Sequence, residues 1–170
     1  MTPEAAFERY SPTVYSFAYR MTRRADLAED ISQETFLALV RAPARFAPDR
    51  GSMKTFLLSI ARNLVLKQYR ELGGVDQLDE DQLDQGALVG PSFDPRATID
   101  IGAAVSEAVS ALPPLQQEAL ILFEYEGVTL EELANIVAAD VGTVKSRLHR
   151  ARARLKRTLA PYARGKVHGT

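Results

Sequence analysis

The chain has 170 residues, 46% of them hydrophobic, a formal net charge of −1 and no cysteine. That is enough chain for one ordinary domain or two small ones with a core, and it excludes disulfides and thiolate metal sites. The two histidines, His149 and His168, stand far from clustered carboxylates, so neither a metal site nor another cofactor is expected.

The near-zero net charge is an average over zones of opposite sign. Residues 1–70 hold eleven basic against seven acidic side chains, 71–100 one against eight, 101–140 none against seven, and 141–170 nine against none. Two basic zones flank an acidic middle, so partners must be sought zone by zone. The N-terminal MTPEAAFERY has no apolar signal run, and no stretch approaches the roughly 20 apolar residues of a membrane helix. A cytoplasmic chain without membrane insertion is expected.

Glu4–Met21 is predicted to be helical, with Phe7, Tyr10, Val14, Phe17, Ala18 and Met21 on one side. Ser11-Pro12 is expected to break or bend it, because proline lacks an N–H and clashes with the preceding turn. Asp26 and Glu29 have capping-box spacing, opening a helix to about Arg41 with a core stripe of Leu27, Ile31, Phe36, Leu39 and Val40. Asp30, Gln33, Glu34 and Leu37 fall partly outside that stripe; on residues alone they read as a solvated acidic helix start. Ala42–Gly51 is loop-like, with Pro43, Pro48 and Gly51 as breakers. Ser52 then caps a helix from Met53 to about Arg70, with Phe56, Leu57, Ile60, Ala61, Leu64 and Val65 buried. Arg45, Phe46, Arg50, Lys54, Arg62 and Asn63 surround that loop and helix. They fit an unstacked base, with cations for the backbone, an amide for a base edge and a ring for stacking. On residues alone a plain amphipathic helix with a solvated Asn63 is the stronger reading.

Glu71–Ile99 is polar, acidic and rich in Gly and Pro, and reads as a linker. As a coil it spans on the order of 30 Å, and drawn straight roughly 95 Å. Ile101–Leu112 is amphipathic through Ile101, Ala104, Val105, Ala108, Val109 and Leu112, and Pro113-Pro114 ends it. Pro114 suits the first turn of the next helix, whose Leu115, Ala119, Leu122 and Phe123 face inward, and Gly127 fits its C-terminal cap.

Thr129–Leu159, TLEELANIVAADVGTVKSRLHRARARLKRTL, reads as two helices joined by a tight turn. Thr129 and Glu132 form a capping box, and Leu130, Leu133, Ala134 and Val137 make one apolar stripe. Asp140 N-caps a second helix whose buried face is Val144, Leu148, Ala151 and Leu155. Lys145, Arg147, Arg150, Arg152, Arg154, Lys156 and Arg157 fill much of the rest, and no acidic residue occurs after Asp140. A helix-turn-helix with a basic second helix suits the DNA major groove. A solvated cationic face on a structural hairpin is the bland alternative. Ala138 sits where such corners commonly place glycine in a left-handed conformation, at a cost of roughly 1–2 kcal/mol for alanine.

VGTVKSRLHRARARLK resembles the recognition helix of bacterial RNA polymerase sigma factors, specifically the two-domain extracytoplasmic-function (ECF) group, and LPPLQQEALILFEYEGVTLEELA resembles the rest of that group's region 4. AEDISQETFLALVR resembles the sigma segment that docks on the polymerase clamp helices, and MKTFLLSIARNLVLKQYRE the segment that melts and reads the downstream promoter element. The resemblance implies an all-α chain of two small helical domains joined by a flexible acidic linker. Region 2 would span 1–72, the linker 73–99, region 4 with its helix-turn-helix 100–162, and a tail 163–170.

The same resemblance implies site residues. Asp30, Gln33, Glu34, Phe36 and Leu37 match the core-polymerase contact. Asn63 matches the base-reading asparagine at the −10 element, with Arg45, Phe46, Arg50, Lys54 and Arg62 beside the displaced strand. At the −35 element Lys145, Ser146 and His149 match the base readers, and Thr143, Arg147 and Arg150 the phosphate contacts. Phe56 stands where the family usually has Trp, Lys67 where it usually has Asp, and His149 where it often has another side chain. The implied partners are core RNA polymerase (clamp helices of the largest subunit, flap of the second-largest), promoter DNA and an anti-sigma factor, with the chain monomeric when free of them. The linker's acidity either keeps it soluble or mimics nucleic acid in a polymerase channel.

Three functions compete. A dissociable promoter-specificity subunit explains two basic modules, the acidic linker and the clamp-like helix together. An autonomous helix-turn-helix regulator leaves Asp30–Leu37 without a role. An enzyme acting on DNA finds no support, since no nucleophile–base constellation, acidic metal triad or Gly-rich phosphate loop occurs, and no catalytic residue is assigned.

Overall fold

The structure is a computed structural model that describes residues 1–72 and 100–167, with side chains described as far as Tyr162. The linker expected at 73–99 lies outside the described residues, as does the end of the tail. Among the described residues the regular elements are all helical. Helices α1 (Pro3–Thr22), α2 (Ala25–Arg41) and α3 (Met53–Glu71) pack on one another as an N-terminal group. Helices α4 (Ile101–Ser110), α5 (Pro114–Leu120), α6 (Leu130–Val137) and α7 (Val141–Val167) form a C-terminal group, in which α4, α5 and α6 each lie on α7.

Helix α1 runs uninterrupted through Pro12, against the expected break. Proline removes one hydrogen bond, at about 3 kcal/mol in a helix interior. Beyond it, however, Val14, Phe17, Ala18 and Met21 are all buried, and the larger of them contribute roughly 1.5–3 kcal/mol each. Packing outweighs the local defect, and Pro12 itself is on the exposed side. Phe7 and Val40, expected in the core, are 50% and 57% exposed. Their places are taken by Ala6 on α1 and by Ala28, Ser32 and Thr35 on α2. These small residues let the α1 and α2 backbones approach, which leaves the bulky neighbours outside.

The expected capping box at Asp26 is also absent. Helix α2 begins at Ala25, with Arg24 at the N-cap and no side-chain cap bond. Asp26 therefore lies within the first turn, where the Arg24 guanidinium grips its carboxylate (Nε–Oδ1 3.2 Å, Nη2–Oδ2 2.6 Å) and lowers its pKa. A negative charge there still favours the positive end of the helix dipole. The loop between α2 and α3 contains two single 3-10 turns, Pro43–Arg45 and Pro48–Arg50. Ser52 caps α3 as expected, accepting the Thr55 N–H at 3.1 Å.

Helix α3 buries more than one stripe. Leu57, Ala61 and Val65 are buried, but so are Met53, Thr55, Leu58 and Leu66. Its first face meets α1 and α2, and a second meets α6. The buried apolar residues of both groups accordingly join in one continuous cluster from Ala6 to Ala151. Helix α5 is enclosed in the same way, and Gln116, Gln117 and Glu118 are almost fully buried, which its apolar pattern did not foretell. Past Leu120 the chain widens into a single π turn, Ile121–Tyr125, and leaves it through Gly127 at φ 70°.

Ala138 adopts the left-handed conformation (φ 55°, ψ 47°) that the corner demands. Ala138→Gly should therefore stabilise the chain by about 0.5–1 kcal/mol, the relief of strain exceeding the entropy added to the unfolded state. Ala153→Gly, on the exposed face of α7, should cost about 1 kcal/mol. Urea midpoints of the two variants check the pair, and a destabilised Ala138→Gly would contradict the strain argument.

Candidate nucleic-acid and partner interfaces

Helix α7 starts where Asp140 accepts the Thr143 N–H at 2.7 Å. It is fixed against the core by Val144, Leu148 and Ala151, all buried. Lys145, Ser146 and His149 are exposed on the opposite side, flanked by half-buried Thr143, Arg147 and Arg150. All six candidate −35 residues thus share the outer surface of the first turns of α7, where backbone N–H groups and cations together suit an anionic groove. The helix runs 27 residues, passing through Pro161 beyond the end expected at Leu159. Two cations leave the expected basic face. Arg154 is buried, and Arg152 is held by Glu124 at 2.7 Å while its guanidinium lies over Phe123.

The start of α6 depends on one carboxylate. Glu132 Oε1 accepts the Thr129 N–H at 2.9 Å, Thr129 Oγ1 accepts the Glu132 N–H at 3.1 Å, and Glu132 Oε2 accepts the Thr55 hydroxyl at 3.0 Å. The Thr129 backbone bond is the main reason the Glu132 carboxyl titrates below its ordinary range. Asp140 is lowered chiefly by its bond from the Thr143 backbone. Glu126 moves the other way, raised by burial against the opposing pull of Lys54.

A second zone surrounds the loop before α3. Arg45 and Arg50 are exposed, and the half-buried Phe46 ring lies 5.5 Å from that of Phe56 at 59°. These residues, with Ser52, Thr55 and Asn135 of α6, line a cavity of about 400 Å³. Asn63 is exposed two turns beyond Phe56 on the same side of α3, about 10 Å further along the axis. Lys54 and Arg62 are not open to a strand in this arrangement. Lys54 Nζ donates to the Glu126 carbonyl, and Arg62 makes a two-pronged ion pair with Glu118 (Nε–Oε2 2.8 Å, Nη2–Oε1 3.0 Å).

A third zone is on α2. Asp30, Gln33, Glu34 and Leu37 are exposed and fall at i, i+3, i+4 and i+7, which makes them one stripe. Phe36, expected both in the core stripe and among these contacts, is largely buried yet lines one groove with Gln33 and Leu37. It meets the Phe7 ring edge-on at 5.1 Å. Phe7, Leu37, Val40 and Gln33 then line an open groove of about 490 Å³. Phe7 and Val40 are the residues that sequence reasoning misassigned, because a helical stripe says which side chains align and not which helix will cover them. Lys67 stands with Asp30 and Glu34 along a smaller cleft between α2 and α3. Among the described residues no helix is long and apolar enough to cross a membrane, and no three His, Cys, Asp or Glu groups gather to hold a metal.

Comparison with known proteins agrees with this architecture. Residues 6–74 match the Sigma-70 region 2 family and residues 102–155 the Sigma-70, region 4 family. The ECF RNA polymerase sigma factor SigM of Bacillus subtilis is 31% identical over 169 residues, covering 97% of this chain and 98% of that one. SigE of Mycolicibacterium smegmatis, also an ECF RNA polymerase sigma factor, is 32% identical over 162 residues, 91% of this chain; the match spans only 60% of that longer protein. The sigma factor RpoE of Bartonella quintana, solved in complex with the anti-sigma factor NepR, superposes with a TM-score of 0.70 at 27% identity, covering 92% of this chain and 96% of that one. The chain belongs to the sigma-70 family, in its extracytoplasmic-function group.

The capping carboxylates set an acid limit. A carboxyl with a depressed folded pKa contributes stability above its unfolded value, about 4.3 for Glu and 3.9 for Asp, and loses it as pH falls through the folded value. Glu132 and Asp140 should therefore make the thermal midpoint drop between roughly pH 5 and pH 3. Glu126, raised by burial, contributes in the opposite sense, losing stability as pH rises through its folded value. Circular-dichroism melts of the native chain and Glu132→Gln check the sign, and Glu132→Gln should start lower and fall less on acidification.

Proposed function

We propose that this chain binds core RNA polymerase in the cytoplasm and directs it to promoters carrying particular −35 and −10 elements. It supplies binding and selection, and the polymerase supplies the chemistry. Residues 1–72 act as region 2, 73–99 as the linker, 100–162 as region 4 and 163–170 as a tail. The observation that carries this reading is the separation of three surfaces by chemistry: a basic groove-facing helix start, a cation-and-ring loop, and an acidic stripe beside an apolar groove. DNA takes the first two and repels the third.

Lys145, Ser146 and His149 read base edges at the −35 element, while Thr143, Arg147 and Arg150 hold phosphates. Arg45, Arg50, Lys54 and Arg62 lie along the melted strand at the −10 element, Asn63 takes a base edge, and the cavity beside Phe46 receives an unstacked base. Asp30, Gln33, Glu34 and Leu37 dock on the clamp helices, with Phe7 and Val40 extending the apolar part and Phe36 supporting it from beneath. Region 4 meets the flap of the second-largest subunit. An anti-sigma factor holds the chain inactive, a reading supported by the solved complex of the Bartonella relative with one.

Run-off transcription with purified core polymerase on a genomic promoter library tests the whole. Lys145→Ala or His149→Ala should cut use of promoters that depend on the upstream element roughly ten-fold, as expected for about 1–2 kcal/mol per base contact. Both should leave core binding unchanged. Asp30→Ala with Glu34→Ala should weaken core binding by a similar factor. Equal loss of core binding in both sets would contradict the division of surfaces, and failure of the native chain to direct any initiation would contradict the function.

A further inference from the structure

The cavity of about 400 Å³ beside Phe46 carries more chemistry than one base on a strand requires. Its size falls toward the lower end of the roughly 300–1,000 Å³ typical of small-molecule sites. The Phe46 and Phe56 rings stand 5.5 Å apart at 59°, an open wedge and not a closed stack. Both are half-buried against the core, so the wedge is held in shape. Arg45 and Arg50 also line the cavity; both are exposed, and neither guanidinium is in an ion pair among the described residues. Asn135 lines it from α6, and its side-chain amide has no hydrogen bond among the described residues. The hydroxyls are sorted by proton count. The Thr55 hydroxyl gives its one proton to Glu132. The proton shared by Ser52 and Thr55, 3.0 Å apart, is therefore the serine's, and Ser52 Oγ also accepts the Thr55 N–H. Ser52 is thus engaged on both counts. Ser59 donates to the Phe56 carbonyl at 2.7 Å and keeps the lone pairs of its own oxygen. Asn63, the amide assigned to the promoter strand, does not line the cavity, so the cavity has an amide of its own.

We propose that this cavity is a binding site for a free purine ribonucleotide carrying two or more phosphates. The purine enters the Phe46–Phe56 wedge, where a larger ring system gains more from stacking than a pyrimidine does. Asn135 pairs with the edge of the base. An asparagine amide offers a donor and an acceptor side by side, which matches N7 and N6 of adenine, so adenine is the preferred base. Ser59 accepts a proton from a ribose hydroxyl, and Arg45 and Arg50 hold the phosphates through charge-assisted hydrogen bonds. Two exposed arginines alone would take any polyphosphate; the wedge and the amide are what select a nucleotide. A bound nucleotide also fills the volume assigned above to the unstacked promoter base, so nucleotide and strand compete. That consequence, unlike the site itself, rests on the promoter reading of α3 and the loop before it.

Isothermal titration calorimetry of the free full-length chain with ADP tests the site directly. One ADP should bind per chain, with a dissociation constant on the order of tens of micromolar for a ligand of this size. CDP and inorganic pyrophosphate should each bind roughly ten-fold more weakly, since the first loses stacking area and the amide match and the second loses the base altogether. Asn135→Ala and Phe46→Ala should each weaken ADP by a similar factor, roughly ten-fold. Asn135 is exposed, so its variant keeps the test decisive even where Phe46→Ala disturbs folding. Lys156→Ala with Arg157→Ala, on α7, should leave ADP affinity unchanged. Pyrophosphate or CDP binding as tightly as ADP, an Asn135→Ala chain with native affinity, or binding weaker than about 1 mM would overturn the site and leave a patch of surface charge. With core polymerase, ADP should inhibit run-off transcription more than CDP does, and Asn135→Ala should relieve that inhibition. ADP that binds in the calorimeter yet spares transcription would count against a promoter base in this cavity, while the nucleotide site itself would stand.

Discussion

The double burial of α3 is the constraint on which the arrangement depends. An isolated three-helix group needs to bury only one face of each member. Here Leu57, Ala61 and Val65 serve the N-terminal group, while Thr55 and Arg62 reach polar partners in the C-terminal group. The second contact joins these hydrogen bonds and the ion pair, which fix its register, to apolar packing that unites both groups in one buried cluster.

Several carboxylates belong to this economy of contacts. Glu132 completes a helix cap, holds Thr55 across the group boundary and so ties the start of the helix-turn-helix's first helix to the N-terminal group. Glu124 and Glu118 each hold an arginine. The seven acidic residues of 101–140 are thus partly spent on internal cations rather than lying as a uniform negative field, and the first turns of α7 keep an outer surface of Lys145, Ser146 and His149 free of internal acidic cover. Charge in this chain is sorted by position along helices more than by net amount, and that explains how a protein of formal charge −1 presents surfaces suited to a polyanion.

The surface of α2 shows the same sorting between polar and apolar groups. Asp30 and Glu34 project from one stripe, and Leu37 and Val40 follow a turn or two later beside Phe7. Exposed Phe, Leu and Val gathered in one groove are unusual enough on a small helical fold to indicate a partner. In the function proposed above, core RNA polymerase occupies it. The helix presents charge for orientation and apolar area for affinity, each from its own part of the stripe.

Much of this was legible in the sequence, because local rules govern short distances. The Ser52 and Asp140 caps, the Thr129–Glu132 box, Gly127 after the π turn and the left-handed strain at Ala138 each depend on residues within a few positions. So does the segregation of basic side chains on α7. The Asp26 box failed locally, with Arg24 at the N-cap and gripping its carboxylate, but the other misreadings share one cause. Pro12 inside α1, Phe7 and Val40 on the surface, Arg154 in the interior and the buried Gln116-Gln117-Glu118 were each decided by a distant neighbour. Periodicity says which side chains share a face, but only packing says which face is covered. Nothing near Arg62 or Glu118 in the chain announces that two residues 56 positions apart form an ion pair. The sequence by itself determined the elements, their caps and the family; the tertiary structure alone decided which cations remain open to a partner, because the cost of removing a charge from water depends on what folds over it.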